Sequence, residues 1–271
     1  MYKDPLISII IPTYNQDKYI TSAIDSVLMQ DYKNIEIIIS DDCSTDNTYD
    51  IIKNYYDPRI KYFKNNYNIG RVKNYHKALY NLANGDWVLN LDGDDFLTDS
   101  TYFTAAINAI NSFDDIVLVS SNRHICNYNT NHHNFLTNNT INIQPYLFSG
   151  NNYLLSLPKP PFKIYHVTSL YKREHALKVG FYNTDIISSD LESLYRLLVN
   201  KNIARIESKT AAWRRHSNNI STKNNPEETI KNYLLIINTY NYIKNNINIK
   251  YNFEYWLYRN VKIKYLSNII D

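Results

Sequence analysis

The sequence predicts an α/β fold, a mainly parallel sheet flanked by helices and followed by a C-terminal helical extension. Two observations carry that expectation. From Leu6 to Ser121, short apolar, β-branched runs alternate with amphipathic stretches of helical period, the signature of βαβ units. The polar motifs PTYNQ, DDCSTDN and DGDD each follow one of those runs directly. In open sheets of this kind ligands bind beyond the carboxyl ends of the strands, so the three motifs are expected along one edge of one crevice.

The first strand, LISIII, leads to a helix over 18–30. IEIIIS precedes a helix over 45–56, IKYF one over 71–83 and DWVLNL one over 100–111, and DIVLVSS adds a fifth strand. Residues 122–150 turn rich in Asn, His and Thr and lose periodicity, which reads as a long excursion or flap. Its His132-His133 pair lacks further ligands at metal-binding spacing, so a solvated loop is expected there. The pattern resumes from Ile164 with a strand in HVTSLYK, a helix through Lys178, a helix over 190–199 and a strand over 209–214. Pro226 with Glu227 and Glu228 then opens a helix to about Asn246, because proline and acids suit a first helical turn. The tail, YNFEYWLYRNVKIKYLSNIID, interleaves aromatic and aliphatic residues with Arg259, Lys262 and Lys264. That pattern fits an interfacial membrane helix, the favoured reading, and also a helix packed on the domain with its basic face wetted. The expected division is a domain over 1–222 and a helical extension over 223–271.

At 271 residues, 44% of them apolar, the chain can bury a large core. No basic region followed by an apolar leader opens it, and no run approaches the ~18 apolar residues of a membrane span. A cytoplasmic location is expected, with Cys43 and Cys126 reduced. A net charge of +3, without RNP-like, zinc-finger or basic-zipper patterns, argues against nucleic acid as a partner. With five glycines there is neither a G-x-G-x-x-G fingerprint nor a G-x-x-x-x-G-K-[ST] phosphate loop.

The most informative stretch is GDWVLNLDGDDFL, where an apolar run ends in Asp92, Asp94 and Asp95 around Gly93. Carboxylates so crowded repel one another unless a cation joins them, and magnesium- or manganese-type ions commonly sit between carboxylates and a substrate's phosphates. A plain acidic turn is the competing reading. A calcium-binding EF-hand is not: counting from Asp92, its fifth ligand and sixth-position glycine would fall on Phe96 and Leu97.

Five segments in order, SIIIPTYNQDKYITSAIDSVLMQDYKNIEIIISDDCSTDNT, NIGRVKNYHKALYNLANGDWVLNLDGDD, VGFYN, SSDLESLYRL and AAWRRHSNNIS, resemble the inverting GT-A glycosyltransferases of family 2 over nearly the whole chain. The resemblance implies a GT-A-like fold and transfer of a sugar from a nucleotide diphosphate donor, by default a UDP-sugar, to a hydroxyl with inversion. It implies Mn²⁺ or Mg²⁺ as cofactor. The acceptor it implies is a surface polysaccharide, lipooligosaccharide or lipid-linked glycan of a bacterium, met at the cytoplasmic face of the inner membrane with the tail as a peripheral contact.

Residue by residue, the resemblance assigns Pro12 and Tyr14 to the base pocket, although Tyr14 is one of 26 tyrosines and also reads as core. Asp42 would accept from a base N–H, with Asp41 as the alternative; Cys43 stands where the family usually has Gly. Lys73, and less directly Arg71, would approach the diphosphate, solvated helix charges being the other reading. Asp92 and Gly93 fall in the D-x-D element near ribose or metal, Asp94 is its direct metal ligand, and Asp95 orients the acceptor or caps the turn. Asp190 aligns with the catalytic base, although Ser189 replaces the Glu before it and a helix N-cap is the plain alternative. His216 resembles a histidine near the metal or diphosphate, and Trp213 reads as packing. Two other functions remain on the sequence alone. A nucleotidyltransferase should carry a Gly-rich basic loop after its first strand, which PTYNQ is not. A non-catalytic nucleotide-sugar-binding or scaffold protein of the same fold has no need to keep every carboxylate, as this chain does.

Overall fold

Isoleucine-rich runs pair because β-branched side chains favour extended backbone and because both faces of the resulting sheet are covered. The computed structural model describes residues 4–130, 132–217, 219 and 230–270, with 264–270 by backbone alone. In it β1 (Ile7–Thr13), β2 (Ile35–Asp41), β3 (Ile60–Lys64) and β4 (Trp87–Asn90) lie parallel in the order β3-β2-β1-β4. Helices α1 (Ile20–Leu28), α2 (Thr48–Ile52), α3 (Arg71–Lys77) and α4 (Tyr102–Ser112) flank them, and α3 runs on into a π-helical turn at Ala78–Leu82. Alternate residues supply the two cores. Ile9, Ile11, Ile37 and Ile39 pack with Ala23, Ile24 and Phe103 on one face. Ile10, Ile38 and Val88 pack with Val72, Tyr75 and Leu79 on the other.

Five further strands extend the sheet: β5 (Phe96–Leu97), β6 (Ile116–Asn127), β7 (Tyr146–Ser149), β8 (Ser169–Lys172) and β9 (Asn202–Arg215). The order is β3-β2-β1-β4-β8-β6-β9-β5, with β7 also on β9. β8 is antiparallel to both neighbours, whereas the long β6–β9 ladder is parallel again.

Three expectations are corrected here. The excursion does not begin at 122, because residues 122–127 continue β6, paired from Asn122↔Lys209 to Asn127↔Arg215. β9 likewise starts at Asn202 and not at 209. Nor is His132 solvated: it is buried at the edge of the Phe96 ring. Asp99 ties this segment down, its Oδ2 accepting from the hydroxyl of Thr137 at 2.8 Å and the N–H of Thr140 at 3.1 Å.

The chain continues through α5 (Gly150–Ser156), α6 (Arg173–Lys178), α7 (Ser189–Leu197), α8 (Leu234–Asn246) and α9 (Phe253–Ile270). The expected helix start at Pro226, Glu227 and Glu228 lies outside the described residues. Ile236, Ile243, Phe253 and Trp256 of α8 and α9 join the same core as α3. Trp256 is 1% exposed and donates to the carbonyl of Leu154 at 2.8 Å. Arg259 donates to the carbonyls of Leu155 and Leu157, and Asn260 to that of Leu157. Carbonyls at a helix end lack intrahelical partners, so Arg259 serves the end of α5. That overturns its expected place at lipid headgroups. Tyr255 and Tyr258 remain exposed. No helix among the described residues is long and apolar enough to cross a membrane.

Candidate active site

The strand ends are laced together by backbone hydrogen bonds. Asp42 N–H donates to Thr13 O at 2.8 Å, and Gly93 N–H donates to Pro12 O at 3.2 Å. Gly93 suits this close approach, since a Cβ there would lie 3.1 Å from Thr13 Oγ1. A cleft of about 1130 Å³ opens at this edge. Of the site residues expected from the sequence, all but Asp41 and Lys73 line it.

At one end stand Pro12 and Tyr14, the latter 46% exposed and thus no core residue. Asp42 is buried, and its Oδ1 accepts from Asn65 Nδ2 at 2.9 Å and Ile69 N–H at 2.8 Å, while Oδ2 accepts from Gly70 N–H at 2.9 Å. A carboxylate has about four acceptor positions, so Asp42 shapes the 68–70 turn and Oδ2 keeps one position for a ligand. Asp41 points elsewhere, accepting from Ser44 N–H at 2.7 Å and Tyr62 OH at 2.6 Å. This excludes it as the alternative base contact. Cys43, in the family's glycine position, has φ +69°, the left-handed region that glycine adopts without strain.

Lys73 is exposed on α3 and Arg71 faces the cleft, reversing the expected ranking. Residues two apart on a helix point in different directions, so only one of the pair can face inward. Gly70, at φ +90°, sets the turn into α3. The Arg71 guanidinium donates to the carbonyls of Ile186 at 3.2 Å and Ile187 at 2.7 Å, tying α3 to the segment before α7. Burial pulls its pKa down, but Tyr75, Asp190 and Asp92 outweigh burial and raise it.

Asp92, Asp94 and Asp95 present carboxylate oxygens within 4.8 Å of one another. Tyr75 OH donates to Asp92 Oδ1 at 2.5 Å. His216 Nε2 lies 2.8 Å from Asp94 Oδ2, and Asn219 donates to the same oxygen at 3.3 Å. Asp95 Oδ1 accepts from Arg214 N–H at 2.9 Å, because β5 pairs with β9 through Phe96↔Ala212 and brings that strand alongside. Burial first, then Asp94 and Asp92, push the Asp95 carboxyl well above the usual range; burial also raises that of Asp92. Hard oxygen donors this close, with too little positive charge among them, fit an Mg²⁺- or Mn²⁺-type ion.

Asp190, in the first turn of α7, lines the same cleft and accepts no hydrogen bond among the described residues. Glu192, on the same turn, is taken by Arg196 at 2.8 Å and does not line the cleft. Residues that line the cleft without a sequence signal to mark them include His166, whose Nε2 is 2.8 Å from Tyr182 OH, Tyr165 and Arg123. Arg123 lies over the Tyr165 and Trp213 rings, 4.5 Å from each centroid. Trp213 therefore lines the cleft, where mere packing was expected. Position 123 falls in the aperiodic stretch, so nothing local distinguishes it.

Comparison with known proteins settles the family. The profile of Glycosyl transferase family 2 matches residues 8–177. The chain belongs to that family. This family 2 protein is 48% identical over 91 residues to UDP-Glc:alpha-D-GlcNAc-diphosphoundecaprenol beta-1,3-glucosyltransferase WfaP of Escherichia coli, a match covering 34% of this chain and 36% of that one. It is 42% identical over 103 residues to GalNAc(5)-diNAcBac-PP-undecaprenol beta-1,3-glucosyltransferase of Campylobacter jejuni, covering 37% and 33%. The matched segments thus span about a third of these relatives' length. Its fold is similar to that of Staphylococcus aureus TarS 1-349 solved with UDP-GlcNAc, at TM-score 0.66 and 20% identity over 86% of this chain and 66% of that one. The fold is GT-A-like.

Proposed function

We propose that this family 2 protein transfers a sugar from a UDP-sugar to a hydroxyl of a glycan or lipid-linked acceptor with inversion. One observation carries the reading: a crowded acidic cluster at the strand ends and an uncommitted aspartate, Asp190, line a single cleft. Pro12 and Tyr14 flank the base, and the free position on Asp42 Oδ2 accepts its N–H. Arg71 and His216 lie near the diphosphate. Asp94, with Asp92 beside it, holds Mn²⁺ or Mg²⁺, which when bound neutralises charge on the departing diphosphate. Asp190 takes the acceptor's proton as its oxygen attacks the anomeric carbon, and Asp95 orients that acceptor. Relatives support the substrates: WfaP is named for a UDP-Glc donor and a diphosphoundecaprenol acceptor, and TarS binds UDP and UDP-GlcNAc. On this reading residues 1–222 form the transferase unit and 223–271 its helical extension, working at the cytoplasmic face of a membrane.

The test is incubation of purified protein with Mn²⁺ and a panel of UDP-sugars, following slow donor hydrolysis and thermal shift. One donor should both raise stability, as any ligand of the folded state does, and release UDP. Binding without turnover favours the non-catalytic reading, and no response to any UDP-sugar overturns the donor assignment.

A further inference from the structure

We propose that Arg123 binds a phosphate group of the acceptor, beside the hydroxyl that Asp190 activates. The proposal rests on the transferase reading above and adds the acceptor's chemistry to it. Arg123 stands on β6 and lines the cleft. Its guanidinium makes no hydrogen bond or ion pair among the described residues, and its Nε is buried without a partner. An arginine carries five N–H donors in a planar fork, and here the buried Nε–H has no acceptor unless a ligand supplies one. The Tyr165 and Trp213 rings, each with its centroid 4.5 Å from the guanidinium carbon, position the group by cation–π contact and take up none of its N–H donors. Such a pre-oriented edge matches a phosphate in a paired, two-bond contact, which an ammonium or a neutral donor cannot reproduce.

Position separates this group from the donor's own phosphates. Asp95 and Asp190 are the carboxylates whose fields reach Arg123, whereas those that reach Arg71 are Asp190 and Asp92. Acceptors named for the relatives carry the matching chemistry, a diphosphoundecaprenol-linked sugar for WfaP and poly(ribitol-phosphate) for TarS. Between those sources the rest of the cleft favours the lipid-linked one, since Pro158, Leu235 and Ile263, all partly exposed, also line it and offer apolar wall to an alkyl chain.

The experiment is calorimetric titration of the full chain, both with UDP and Mn²⁺ saturating the donor end and without them. The probes are decyl diphosphate, ribitol 5-phosphate and, as a neutral control, decyl glucoside. At least one phosphate probe should bind, and Arg123→Gln should weaken it roughly 10- to 100-fold while affinity for UDP and for decyl glucoside stays level. Arg123→Lys, which keeps the charge and loses the fork, should recover part of the loss. Tighter decyl diphosphate points to a lipid-linked acceptor, and tighter ribitol 5-phosphate to a polyol phosphate. Silence of both phosphate probes, equal binding by Arg123→Gln, or a parallel loss of UDP in that variant overturns the proposal. A wild-type protein that ignores UDP yet binds a phosphate probe through Arg123 would remove the donor reading and leave the phosphate site standing.

Discussion

Replacing Asp94 by asparagine should stabilise the metal-free protein and inactivate the metal-loaded one, opposite effects from a single carboxylate. The carboxylate oxygens of Asp92, Asp94 and Asp95 lie within 4.8 Å of one another. At an effective dielectric constant of about 20, two full charges at that distance repel by about 3.5 kcal/mol. Burial and Asp94 hold the neighbouring carboxyls above their usual range, so the figure for two full charges is an upper bound. The amide of the variant would also give up a hydrogen bond to His216 or Asn219, worth about 1 kcal/mol. A net gain of about 1–2 kcal/mol remains, or about 2–6 °C in Tm for a domain of this size. Melting curves in chelator and in excess Mn²⁺ read both effects. Wild type should gain several degrees from Mn²⁺, the variant almost none, and its transfer rate should fall by about two orders of magnitude or more. A lower metal-free Tm for Asp94→Asn, or an Mn²⁺ shift equal to that of wild type, refutes the cluster as a cation site.

Asp190→Asn should keep Mn²⁺-dependent UDP-sugar binding and lose transfer by about 10²–10⁴-fold, the usual scale of a general base; normal transfer would move the base elsewhere. Trp256→Ala should cost about 3–5 kcal/mol in chemical denaturation, because the ring is buried and its N–H is bonded to Leu154 O. A loss of vesicle flotation with unchanged stability would instead restore the membrane reading of the tail. Glu36 is buried, which raises its pKa, but bonds from Lys61 Nζ at 2.7 Å, Ser8 Oγ at 2.6 Å and Asn84 N–H at 2.7 Å outweigh burial and lower it. A depressed carboxyl stabilises the fold above its ordinary value near 4.5 and loses that contribution as pH falls through the lowered pKa. Glu36→Gln should therefore lower the urea midpoint at pH 7 and lower it much less at pH 3.

Legibility followed the range of the interaction. β1, β2 and β4 were plain because continuous Ile, Val and Leu runs declare strands buried on both faces, and the motifs after them were placed by chain connectivity alone. Asp92, Asp94 and Asp95 needed no partner to be noticed, since their crowding is itself the signal. Residues 122–127 and 202–208 showed no such pattern, because their extended form depends on each other across the β6–β9 ladder. Arg259 reads from the sequence as a base at lipid headgroups or on a wetted face for the same reason: the carbonyls it meets lie about a hundred positions away in sequence, at the end of α5.

By itself the sequence determined the α/β class, the strand-end placement of the three polar motifs and the family resemblance, all of which depend on period and local order. Only the tertiary structure decided which member of each neighbouring pair faces the cleft. Asp42 faces it while Asp41 turns to Tyr62, and Arg71 faces it while Lys73 meets solvent. Side-chain direction changes from one residue to the next along a strand, and by more than half a turn every two residues along a helix. Adjacent, chemically equivalent residues thus acquire different roles only when packing fixes the register. Arg123 is the extreme case, since its rings, its carboxylates and its cleft come together only through the fold.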